Sequence, residues 1–373
     1  MTTQENTQHS QWSSRSAFLM ATIGAAVGLG NLWRFPYIAG ENGGGAFVLV
    51  YLACLVLVAI PIVVAEMTIG RMGQRSPVNT ISRLIPKHRS RLWMLIGWLS
   101  VFIPLIGLSY YSVVAGWALE YIVATADISR AVTDANGSSN MFNALLASPL
   151  RMLFLHTVFI AFAAFVVSRG VYKGIEVISR IMMPALGILL LILVFYSIFF
   201  ADIAAGLHFL FAPDFSKLSV SVVVMALGQA FFSVAVGVGV MMTYGSYMPQ
   251  KFSLAGSAAI IVTVDTLVAI LAGIAIFPIV FAYGLDPAEG PGLIFVTLPI
   301  AFGQMPGGFI VGPAFFIMLF FAAFSTAIGM LEPAVSWITE KGWSRKRVTF
   351  GGAFVCWFVG IAAILSFNEW SDV

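Results

Sequence analysis

The chain has 373 residues, of which 60% are hydrophobic and only 9% charged, whereas an ordinary soluble domain carries about 25% charged residues. No water-facing surface can be built from that composition, so soluble enzymes and soluble binding modules are excluded. The net charge of +3 selects no partner, and its distribution along the chain carries more information than its size.

The polar stretch Met1 to Ser14 lacks a basic region ahead of a short apolar core and cleavage site, so it does not read as a signal peptide. Nine apolar runs follow, at 16–39, 46–69, 92–125, 150–168, 181–204, 218–246, 254–284, 308–338 and 347–367. A helix needs about 20 such residues to cross the hydrocarbon core. The runs are too long for barrel strands and lack their alternation. The fold class is therefore an all-α integral membrane protein with nine transmembrane helices, read as one domain over 1–373.

Short cytoplasmic loops hold an excess of Lys and Arg. Arg71, Arg75, Arg83, Lys87, Arg89 and Arg91 follow the second run, Arg169, Lys173 and Arg180 the fourth, and Lys341, Arg345, Lys346 and Arg347 the eighth. The alternate loops carry Asp127, Asp134, Asp202, Asp214, Asp286 and Glu289 instead. This places the N-terminus, residues 1–15, in the cytoplasm and the end of the chain outside. Basic residues in short loops beside spanning helices do not form a nucleic-acid surface. Cys54 and Cys356 fall inside apolar runs and read as packing residues.

Two runs are unusually rich in glycine at membrane depth: the first contains GAAVGLGNLWRFP (Gly24 to Pro36) and the sixth GQAFFSVAVGVG (Gly228 to Gly239). Singly, such glycines commonly serve close helix packing. Their placement in the first and sixth spans makes them equivalent members of two five-helix repeats, 16–204 and 218–367, the second incomplete. Paired interrupted helices point to a transporter's binding site. Five spans per repeat reverse the direction in the membrane, so an inverted repeat is expected.

GAAVGLGNLWRFPYIAGENGGGAF, from Gly24 to Phe47, closely resembles the first helix of the neurotransmitter:sodium symporter family. IPLIGLSYY (Ile103 to Tyr111), KGIEVISRIMMP (Lys173 to Pro184), GQAFFSVAVGVG and FFAAFSTAIGMLEP (Phe320 to Pro333) continue the resemblance in family order. It implies a sodium-coupled symporter of the inner membrane that imports an amino acid. It also implies a tenth helix, which would follow the ninth run and lie beyond Val373.

The resemblance further implies two sodium sites. One would use the carbonyl of Ala26, Asn31, Ser233, Asp265 and the substrate carboxylate; the other the carbonyls of Gly24, Val27 and Ala322 with Ser325 and Thr326. Sodium is a hard cation and takes oxygen ligands, which unwound helices supply. Taken singly, the hydroxyls could merely bond their own helices. The substrate pocket would be formed by Ala26, Gly28, Gly30, Gly107, Tyr111, Phe232, Ala235, Val238, Thr326 and Met330, with Gly329 beside Met330. Tyr111 would donate to the substrate carboxylate and Phe232 would lie over the substrate as a lid, although packing alone would explain either aromatic. Arg34 and Gln229 would form the outer gate, and Trp12, Arg15, Tyr247 and Glu340 the inner one, with His9 where many members carry arginine. Glu66 reads as a structural acid beside the broken sixth helix. Gly174 and Pro184 match a family spacing associated with local unwinding, and a proline kink is the alternative.

Gly28 stands where amine transporters of the family place an aspartate, which implies a substrate with a carboxylate. The small residues Gly107, Ala235, Val238 and Gly329 imply room for a large hydrophobic or aromatic side chain. Asp265, where chloride-dependent relatives carry asparagine, implies independence of chloride. A channel would need a continuous polar lining or repeated filter, and neither is visible. An enzyme would need a metal or nucleophile constellation, and His9, His88, His156 and His208 are scattered. A non-transporting amino-acid sensor of the same fold remains the alternative function.

Overall fold

The computed structural model describes residues 11–370 apart from Lys87 and Arg89, and all regular structure among them is helical. Taken in order, the helices are α1 (Arg15–Ala26), α2 (Gly30–Glu41), α3 (Gly45–Gly73), α4 (Pro77–Leu84), α5 (Arg91–Ala126), α6 (Ala135–Leu146), α7 (Pro149–Ser168) and α8 (Val171–Phe200). They continue with α9 (Ile203–Phe211), α10 (Val220–Ser233), α11 (Val240–Ser246), α12 (Leu254–Ala282), α13 (Leu293–Gln304), α14 (Gly308–Thr339) and α15 (Arg345–Ser366).

Seven of these, α3, α5, α7, α8, α12, α14 and α15, are long and apolar enough to cross a membrane, and α1 with α2 makes an eighth crossing bent by 49°. The helix α10 is shorter, and residues 234–239 separate it from α11 without regular helix. Serine hydroxyls set the starts of three of these segments. Ser14 accepts from Ala17 N at 3.1 Å, Ser219 from Val222 N at 3.3 Å and Ser253 from Gly256 N at 3.2 Å, satisfying amides that the first turn leaves unpaired.

One boundary needs correction. The fifth span begins at Val171, not near residue 181, so Lys173 and Arg180 stand within a helix and not in a loop. Hydropathy stops at the charges of this stretch, but Glu176 is buried there and paired with Arg180 one turn on. The connection between the seventh and eighth runs is also ordered, its helix α13 held by Tyr121 Oη donating to Phe295 O at 2.7 Å and Ser138 Oγ to Val296 O at 2.6 Å.

The long helices α5 and α14 pack along each other, and α1 lies against α8, α12 and α14. Small residues allow backbones to approach where α3 crosses α11: a Cβ on Gly70 would stand 2.0 Å from Met242 O. Residues 28 and 29 of the first interrupted segment and 235, 236 and 238 of the second line one cavity together with residues of α5 and α14.

Candidate functional site

A cavity of about 410 Å³ opens between the breaks, within the usual range for a small-molecule site. All ten pocket residues expected from sequence line it: Ala26, Gly28, Gly30, Gly107, Tyr111, Phe232, Ala235, Val238, Thr326 and Met330. Gly329 does not. One position from Met330 on α14, it turns away, and a Cβ there would stand 2.9 Å from the Cβ of Ala25. Gly28 is tightly enclosed, since a Cβ would meet Thr326 Oγ1 at 2.4 Å and Tyr111 Oη at 2.9 Å. Ala235 is held at φ 51, a left-handed conformation uncommon for a residue with a Cβ, in the segment that breaks the helix.

Polar groups gather at one wall. Asn31 Nδ2 donates to Asp265 Oδ1 at 2.8 Å and to Ser233 Oγ at 3.0 Å, and Ser233 Oγ donates to Asp265 Oδ2 at 2.5 Å. Asn31 Oδ1 accepts from Gly28 N at 3.0 Å, which ties this cluster to the break in the first span. Asn31, Ser233 and Asp265 are all wholly buried. Asp265 enters none of the ion pairs among the described residues. A carboxylate buried among neutral donors is costly; the oxygens of Asp265, Ser233 and the Asn31 carbonyl are of the kind a hard cation takes, whereas Asn31 Nδ2 can only donate. Tyr51, which sequence reasoning missed, completes the cluster: its hydroxyl donates to Ser233 Oγ at 3.2 Å.

The other expected sodium residues also converge. Thr326 Oγ1 donates to Val27 O at 3.3 Å, and Ser325 Oγ to Ala322 O at 3.0 Å. A Cβ on Gly24 would stand 3.2 Å from that of Ser325. Between the two groups Leu29 N donates to Tyr111 Oη at 3.2 Å, leaving the phenol proton to donate elsewhere.

Outward, Arg34 Nη1 donates to Gln229 Oε1 and Gln229 Nε2 to Gly30 O, both at 2.8 Å. The Arg34 guanidinium lies 5.0 Å from the centre of the Phe232 ring. Phe232 is 49% exposed, so it does not seal the cavity in this conformation. Glu66 Oε1 accepts from Gly237 N at 2.7 Å, in the break of the sixth span.

Inward, Trp12 Nε1 donates to Tyr244 O at 3.0 Å, and its ring contacts Tyr244 and Tyr247 at centroid distances of 5.2 and 6.0 Å. Glu340 accepts from Ser76 N at 2.7 Å and from Asn79 Nδ2 at 2.5 Å, fastening α4. The acid beside Tyr247 is Glu332, which accepts from its hydroxyl at 2.8 Å and from the Arg345 guanidinium. Sequence reasoning missed Glu332, although an acid inside an apolar run is itself a signal. Arg15 is exposed at the start of α1, and His9 lies outside the described residues.

Among known proteins, the model of the sodium:neurotransmitter symporter family matches residues 9–144 and 148–368. The sodium-dependent transporter YhdH of Bacillus subtilis is 40% identical over 97% of this chain and 80% of its own length. A sodium-dependent transporter of Haemophilus influenzae is 34% identical over all of this chain and 83% of its own. A crystal structure of MhsT in complex with L-phenylalanine superposes with a TM-score of 0.89 at 43% identity, covering 98% of this chain and 82% of MhsT.

Proposed function

Since the chain belongs to the sodium:neurotransmitter symporter family and is a sodium-dependent transporter, we propose that it imports an amino acid with a large hydrophobic or aromatic side chain. Two sodium ions accompany the substrate and chloride is not required. The observation that carries this reading is the buried cluster of Asn31, Ser233 and Asp265 at the wall of an apolar cavity. MhsT, whose structure holds L-phenylalanine, supports the substrate class.

The substrate carboxylate would complete the shell of the sodium at Asn31, Ser233 and Asp265 and accept from the Tyr111 hydroxyl. The side chain would then lie between Gly107, Val238 and Met330. A side chain at position 28 would run into Thr326 Oγ1 and Tyr111 Oη, so the negative charge beside the sodium would come from the ligand's own carboxylate. Shared ligation makes each of sodium and substrate raise the other's affinity. The second sodium, at Gly24, Val27, Ala322, Ser325 and Thr326, would hold α1 to α14. In our reading the nine spans form two inverted repeats, with residues 1–15 in the cytoplasm of a cell bounded by an inner membrane.

Uptake of labelled leucine, phenylalanine, tyrosine and tryptophan into vesicles, with and without an inward sodium gradient and with chloride replaced by gluconate, tests this. Sodium-driven uptake that survives without chloride is the expected result. Binding without uptake would make the protein a sensor, and uptake that collapses without chloride would overturn the role given to Asp265.

A further inference from the structure

A second cavity, of about 430 Å³, lies where the C-terminal end of α5 meets α6 and the start of α7. It is as roomy as the central cavity and shares no lining residue with it. The buried residues of its lining, Tyr121, Ala124 and Leu145, are apolar in body, and the exposed ones include Arg130, Asn140 and Arg151. None of these side chains enters the transport chemistry above.

The walls are held in place from outside the cavity. A Cβ on Gly303 would stand 2.0 Å from Val132 O, and Gln304 Nε2 donates to Thr133 O at 2.7 Å, so the connection from α5 to α6 is tied down onto α13. Tyr121 donates to Phe295 O at 2.7 Å, and the two rings lie 5.3 Å apart. The space is therefore preformed, as small-molecule sites usually are. Its lining sets two guanidiniums against one carboxylate, that of Glu120. Arg151 engages both oxygens of Glu120, Nε donating to Oε2 at 3.0 Å and Nη2 to Oε1, and the other N–H groups of its fork remain for a further acceptor. Arg130 Nε stands 3.4 Å from Asp127 Oδ2, while Asp127 Oδ1 accepts from Ser129 N at 3.0 Å and from Ser129 Oγ at 2.6 Å.

We propose that this second cavity binds a small organic anion, a carboxylate on an apolar body, with the carboxylate at Arg130 and Arg151 and the body against Tyr121 and Leu145. Guanidinium groups present a planar edge that matches a carboxylate at two points, and the amide of Asn140 adds a neutral donor at the same mouth. Because Arg151 already meets both oxygens of Glu120, the cavity calls for no ammonium group on the ligand. The charge of Glu120 beside the mouth favours a ligand with a single negative charge over a dianion.

The test measures binding of labelled 4-phenylbutyrate, which carries a carboxylate and no ammonium, by equilibrium dialysis on the full chain in phosphatidylcholine discs. A Kd of about 1 mM is expected for a ligand of this size. Arg130→Gln, a mild change at an exposed residue, should weaken binding at least about tenfold, the scale of a hydrogen bond to a charged group. The uncharged 4-phenylbutanol should bind the parent more weakly by a similar factor. Ala144→Trp, at an exposed position of the lining, should abolish binding by filling the space. No binding, binding equal to that of 4-phenylbutanol, or binding that survives both variants would overturn the site. Displacement by excess L-phenylalanine in sodium would put the ligand in the central cavity and overturn it as well. Binding that disappears when phosphatidylserine is added to the discs would give the carboxylate position to a lipid headgroup and overturn the free anion.

Discussion

Asp265 meets only neutral donors, Asn31 Nδ2 and Ser233 Oγ, and its burial makes its charge the dominant local field. Removing that charge should therefore alter sodium use before it alters folding. Asp265→Asn is expected to raise the half-saturating sodium concentration for uptake at least about tenfold, the effect of about 1.4 kcal/mol, and chloride should restore part of the loss. A sodium titration of uptake in chloride and in gluconate measures both. Gly107 makes a second residue-scale prediction: a Cβ there would stand 3.0 Å from Met330 Cε, so the cavity narrows at once if the position grows. Gly107→Val should lower uptake of tryptophan and tyrosine about tenfold or more relative to alanine, since overpacking costs about 1–3 kcal/mol. Competition uptake with tryptophan, tyrosine and alanine reads that order, and an unchanged order would remove Gly107 from the determinants of size.

Among the elements, α14 and α15 are joined by a buried charge pair that stability should report. Glu332 is wholly buried and Arg345, which also donates to Val167 O at 2.9 Å, reaches it from the start of α15. Breaking such a pair from one side leaves an uncompensated charge and costs about 3–5 kcal/mol, whereas removing both charges costs far less. Arg345→Gln should lower the thermal midpoint in detergent clearly, and Arg345→Gln with Glu332→Gln should recover much of it. The contrast between this pair and the cavity shows what the sequence could reveal. Both breaks were legible because glycines mark them locally, and six of the expected cavity residues lie in or beside them, whereas Gly107, Tyr111, Thr326 and Met330, on α5 and α14, were reached only through the family resemblance. The partner of Tyr247 was not legible. Glu332 stands 85 positions from Tyr247, and nothing local in the sequence joins an acid near the end of α14 to a tyrosine just after α11. The hydrogen bond from Ser13 N to Glu176 Oε1 spans 163 positions and has no local signature at all. Likewise the start of α8 was hidden, because the buried charge of Glu176 interrupts the apolar run without ending the helix.

Over the whole molecule, charge is distributed by side more sharply than by amount. The segment joining α3 to α5 holds Arg75, Arg83, Lys87 and Arg89 with no acid, and the turn before α15 adds Lys341, with Lys346 and Arg347 in its first turn. The connections from α5 to α7 and from α12 to α13 hold Asp127, Asp134, Asp286 and Glu289. Several of those acids serve local structure, Asp134 accepting from Gly137 N and Asp286 from Ala288 N, each at 2.8 Å, so they cannot be exchanged for Lys without disturbing the loops. The cationic side faces the cytoplasm if the excess of Lys and Arg governs insertion. The bent first span then opens its Arg34 end outward, and the segment at Trp12 closes the inner end. Single cysteines at Asn79, on α4, and at Glu289, in the acidic connection, should be labelled from opposite faces of intact cells. The expected result is that an impermeant maleimide reaches position 289 from outside and position 79 only after the cells are opened. The reverse pattern would invert both gates and make Arg34 and Gln229 the inner one. Labelling of both positions from outside would contradict the odd number of crossings that α5, α7, α8, the α10–α11 pair and α12 place between them.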